Sequence, residues 1–173
     1  MRKLSWMLVA LAAVPLQAQD VVQDVGHWDL SNARVAVRFN AGLLRDMGVR
    51  MNPAGRPVRD GYVAHEFGVE GRFTALVPNG HFETVNGGEL RLTTGPTLAF
   101  RRGSAALAGA IVRPGSEPAT FVVSAADGAP LFHADHQHNT VDRKAQRVRL
   151  FNLDLQISEA LAEPLGSPAL ARP

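Results

Sequence analysis

The chain has 173 residues, 18 basic and 16 acidic, and no cysteine. Without cysteine there are no disulfides, thiolate metal ligands, cysteine nucleophiles or lipid-bearing cysteine, so stability has to come from a packed core. The arginines are scattered along the sequence with no basic stripe and no interleaved aromatics, which excludes a nucleic-acid-binding pattern.

Residues 1–18 read as a secretory signal peptide. Arg2 and Lys3 supply the basic start, and residues 6–14 (WMLVALAAV) are a short apolar stretch. Pro15 breaks that stretch, and Ala18 is a small residue suited to cleavage. The stretch is shorter than the roughly 20 residues that span a bilayer, and no second one follows. These residues carry two bases and no acid, so residues 19–173 hold 18 − 2 = 16 bases against 16 acids. The basic balance belongs to the leader. The expected destination is the periplasm or the exterior, with no transmembrane span after cleavage.

Residues 19–158 read as one β-rich domain. ARVAVRF (33–39) alternates apolar and polar residues like a half-buried strand. NAGLLRDMG (40–48) follows, with a capping asparagine, apolar Leu43, Leu44 and Met47, and a closing glycine, as in a two-turn helix. GYVAHEFGVEG (61–71) puts Val63, His65, Phe67 and Val69 on one strand face. Asn86-Gly87-Gly88 reads as a hairpin turn and Gly95-Pro96 as a second. ALAGAIV, ATFVVSA and LFHADHQHNTV are further strands, set apart by RPGSEP and ADGAP. Turn signals recur every 8 to 12 residues, the rhythm of an antiparallel β-sandwich and not of βαβ units. The expected fold is therefore all-β, sandwich-like, with two short helices.

The last strand, RVRLFNLDLQIS, changes phase. Val148 and Leu150 lie on one parity, and Phe151, Leu153, Leu155 and Ile157 on the other. A period of two cannot bury both sets on one face, so a bulge near 150–151 or burial on both faces is required. Residues 159–173 continue with a short helix (SEALAEPLG, capped by Ser158) and a tail. VAVRFNAGLLRDMG (35–48) aligns without gaps on LDLQISEALAEPLG (153–166), at an offset of 118. Either strand–cap–helix–glycine is a common local solution used twice, or Leu153 opens a second copy of a module that continues in a longer parent protein.

LFHADHQHNTVDRK (131–144) concentrates the chemistry. If the strand runs on, His136 and His138 share a face about 7 Å apart and offer two imidazoles to a divalent metal such as zinc. A third ligand would come from another strand: His65, His81 or Glu83. The alternative is a polar strand end with Phe132 and Ala134 turned to the core. The pair lacks the later glutamate and the second motif of a cupin site. Val69 occupies the position where H-E-x-x-H needs its second histidine, and there is no G-x-S-x-G elbow or phosphate loop.

The leader, the FHADHQH strand and VRLFNLDLQISEALAEPLGSPALA together resemble the N-terminal region of large exported proteins of unknown function from Gram-negative bacteria. The resemblance implies export and a longer parent and supplies no activity. No catalytic or cofactor-binding residue is assigned. The expected function is a non-catalytic β-rich module for binding, assembly or scaffolding with an unknown protein or envelope partner. The competing reading is a metal-binding protein or metal-dependent enzyme built on His136 and His138.

Overall fold

A computed structural model describes residues 16–18, 26–135 and 137–166. The strands are β1 (Leu16–Ala18), β2 (His27–Ser31), β3 (Val35–Asn40), β4 (Arg50–Asn52), β5 (Arg56–Pro57) and β6 (Tyr62–Phe67). They continue with β7 (Val69–Leu76), β8 (Thr84–Leu92), β9 (Thr97–Phe100), β10 (Gly103–Ala106) and β11 (Ile111–Pro114). The last are β12 (Phe121–Ser124), β13 (Pro130–Asp135), β14 (His138–Asp142), β15 (Arg147–Phe151) and β16 (Asp154–Ile157). The two α-helices are α1 (Ala41–Asp46) and α2 (Glu159–Ala162). The fold is β-dominated and sandwich-like, as the alternation implied.

Ten strands form one antiparallel sheet in the order β14-β15-β1-β2-β7-β8-β11-β12-β13-β16. Two three-stranded sheets, β3-β6-β5 and β10-β9-β4, complete the layers. Val35, Val37 and Phe39 of β3 and Phe67 of β6 meet Phe73, Leu90, Phe121, Phe132 and Leu155 of the large sheet around an apolar cavity of about 80 Å³. The Phe73 and Phe121 rings pack with centroids 5.7 Å apart. Each fully buried side chain of this kind contributes roughly 1.5–3 kcal/mol, so the core carries the stability that disulfides do not.

The phase change in the last strand is resolved by a kink. Asn152 takes φ 55°, in the left-handed region, and splits the run into β15 and β16. β15 pairs with β14 and β1, while β16 pairs with β13 at the other end of the sheet. Val148 and Leu150 are buried before the kink, and Leu153, Leu155 and Ile157 after it. One chain segment thus serves both ends of the large sheet.

Asn32 does the same between β2 and β3, with φ 56°. Each kink is followed by a strand, a side-chain cap, a short helix and a left-handed glycine. Asn40 accepts from the Leu43 N–H at 3.0 Å and Ser158 from the Leu161 N–H at 3.2 Å. Gly48 and Gly166 have φ 68° and 70°. Both helices form as the caps predict. The two copies meet in one apolar cluster: Phe39, Leu44 and Met47 of the first with Ile157, Leu161 and Leu165 of the second. The second copy therefore packs within this fold, its strand paired to β13.

Three local expectations change. Asn86-Gly87-Gly88 is no hairpin turn; β8 runs through it, and the register with β7 shifts between Thr74 and Ala75. The glycines serve a bulge: Gly88 has φ 84°, and a Cβ there would collide with the Arg72 carbonyl oxygen. Residues 61–71 form two strands, broken at Gly68. Gly95-Pro96 closes no hairpin either; it joins β8 to β9, which lie in different sheets.

Candidate functional site

The histidine-rich segment is two strands, not one. β13 ends at Asp135 and β14 begins at His138, and the two stand near opposite ends of the large sheet's strand order. The shared face proposed for His136 and His138 depended on one continuous strand. His136 lies outside the described residues. Phe132 and Ala134 do turn to the core, each 3 % exposed.

The remaining expected ligands are dispersed. His65 sits on β6 opposite Val37, its ring 5.5 Å from that of Phe67. His81 and Glu83 are exposed in the connection between β7 and β8, where the Glu83 N–H donates to the Leu76 carbonyl. His138 is exposed at the start of β14 and stacks on Phe151 at 5.7 Å, with the Arg149 guanidinium 5.6 Å from the same ring. Among the described residues no group of three histidine, aspartate or glutamate side chains is placed to hold a metal ion.

What the segment does build is a largely buried polar cluster on the face of β13 and β16 opposite Phe132 and Ala134. His133 stands opposite Gln156, and Asp135 opposite Asp154. Asp135 is 7 % exposed, and its Oδ2 accepts from Gln156 Nε2 at 2.9 Å. The alternation of strands causes this. Phe132 and Ala134 take the inner face, so His133 and Asp135 must take the outer one. Gln156 escaped the sequence reading because its partner lies 21 positions away; only the pairing of β16 with β13 joins them.

At the other end of the sheet, β14 (HNTVD) carries exposed His138, Asn139, Thr140 and Asp142 and pairs with β15 alone among the described strands. It has no lysine, no proline and no register shift against β15, devices that commonly keep a sheet edge from pairing. Among the described residues no helix is long and apolar enough to cross a membrane.

No protein-family model, curated protein or solved structure matches the chain.

Proposed function

We propose that the chain is an exported, non-catalytic β-rich module that binds or assembles with a partner in the periplasm or outside the cell, as part of a larger protein. The observation that carries this reading is the β14 edge. A polar edge strand that pairs on one side only among the described residues is a template for addition of a partner's strand, with main-chain hydrogen bonds for affinity and alternate side chains for selectivity. The leader supports export. Cleavage after Ala18 would also take β1 from between β2 and β15 and free two more strand edges.

The test is site-specific photocrosslinking in the envelope of a producing Gram-negative cell. A photoreactive residue at exposed Thr140 on β14 is expected to give a discrete adduct. The same residue at exposed Glu70 on β7, in the middle of the sheet, is expected to give none. Equal labelling at both positions, or none at either, contradicts strand addition at β14.

A further inference from the structure

Strand pairing gathers two groups of arginines. On β7, β8 and β11 three of them stand across from two glutamates. Glu70 stands opposite Arg91 and Arg72 opposite Glu89. Glu89 Oε2 accepts a hydrogen bond from Arg113 Nε at 2.9 Å and forms an ion pair with Arg113 Nη2 at 2.7 Å. Two glutamates thus offset part of the charge of three arginines on this solvated face.

The second group surrounds a cleft. Residues 45–50 and 99–102 are separated by 48 intervening positions, but β4 pairs with β9, setting Arg50 opposite Ala99. That pairing closes an open cleft of about 500 Å³ lined by Arg45, Arg50, Arg101, Val49 and Phe100. The volume falls within the roughly 300–1,000 Å³ of small-molecule sites. Among the described residues no carboxylate lines it. Asp46, adjacent to Arg45, has its Oδ1 3.9 Å from Arg45 Nε, with both side chains more than three-quarters exposed. Such a contact neutralises little. Among the described residues Arg50 and Arg101 form no ion pair, and exposed Arg102 adds a fourth positive charge in the adjoining turn. On the first face acids accompany the arginines; around this concavity three arginines stand beside half-buried Phe100 with no carboxylate among the described lining residues.

We propose that this cleft binds a phosphate ester, with Arg45, Arg50 and Arg101 as its ligands and half-buried Phe100 against the organic part. A guanidinium presents paired donors in a fixed plane that match two oxygens of a phosphate. Three of them suit a dianion with three terminal oxygens better than a planar carboxylate with two. The phosphate is either that of a free small molecule or that of a lipid headgroup. The assignment rests on the binding reading above and gives it a ligand class. It can fail while the β14 adduct stands, because the cleft is formed by β4 and β9 of a different sheet.

The experiment is titration calorimetry of the full chain with phenyl phosphate and with benzoate. Co-sedimentation with vesicles of equal parts phosphatidylcholine and phosphatidic acid, whose headgroup is a phosphate monoester, forms the second arm. Phenyl phosphate is expected to bind, and benzoate at least about tenfold more weakly. Arg50→Gln and Arg101→Gln are each expected to weaken phenyl phosphate by about tenfold or more. Arg147→Gln, the same charge change at an exposed site on β15, is expected to leave affinity within about twofold. All three positions are exposed, so unchanged melting curves show that the variants fold. Binding of phenyl phosphate without vesicles assigns a free phosphate ester; vesicle binding lost in Arg50→Gln assigns a headgroup. No binding in either arm, equal binding of benzoate, or equal losses in Arg50→Gln and Arg147→Gln would overturn the proposal.

Discussion

Asn152 is where the architecture can be tested with least ambiguity. It is exposed and sits at φ 55° between β15 and β16. Because it is exposed, replacing its side chain removes little packing, and the effect reads the backbone alone. A non-glycine residue without asparagine's local hydrogen bonding costs about 1–2 kcal/mol in the left-handed region. A β-branched residue is worse there. Asn152→Ala is therefore expected to destabilise by about 1–2 kcal/mol and Asn152→Val by at least as much. Asn152→Gly removes the steric cost but adds about 0.5–1 kcal/mol of chain entropy to folding, so it should lie between the parent and Asn152→Ala. For a chain of this size, 1–2 kcal/mol corresponds to a fall in Tm of about 2–8 °C. Urea titration and thermal melting followed by circular dichroism measure both. If Asn152→Val were as stable as the parent, residue 152 would not be left-handed. The last strand would then run straight through, and its two phases would have to be buried on two faces. Asn32→Val, at the matching kink between β2 and β3, should behave the same way.

Other consequences follow from single contacts. Ser158 is 1 % exposed, caps α2, and its Oγ–H donates to the Pro130 carbonyl at 2.5 Å; Ser158→Ala should cost about 1–3 kcal/mol in urea unfolding. Gly88→Ala meets both a left-handed φ and the Arg72 carbonyl, so a loss of about 1–3 kcal/mol is expected, and a neutral result would remove the bulge. On the non-metal reading, neither EDTA nor zinc moves the melting transition. A rise with zinc that His138→Ala abolishes would restore the metal-binding reading.

The fold was legible where pattern is local. Val35, Val37 and Phe39 announced β3, and the caps Asn40 and Ser158 announced both helices, because alternation and capping act within a few residues. The phase break at residues 150–151 was also visible, though not its cause: a left-handed asparagine resembles any polar residue in a strand. The Asn86-Gly87-Gly88 reading failed because the same glycines suit a turn or a bulge, and the partner strand decides between them. Reading residues 131–141 as one strand failed for a similar reason, since nothing local says that β13 stops at Asp135. The arginine cleft was invisible in the sequence because its two halves meet only through the pairing of β4 with β9. The adjacent arginines at 101 and 102 were the one local hint of it.

Export is the claim on which the functional account stands, and one measurement reaches it directly: the intact mass of the chain recovered from the periplasmic fraction of a Gram-negative host. The account predicts a single species beginning at Gln19, cleaved after Ala18. A chain that keeps Met1 and stays with the cytoplasmic fraction would contradict it, and the partner of β14 would then have to be sought inside the cell.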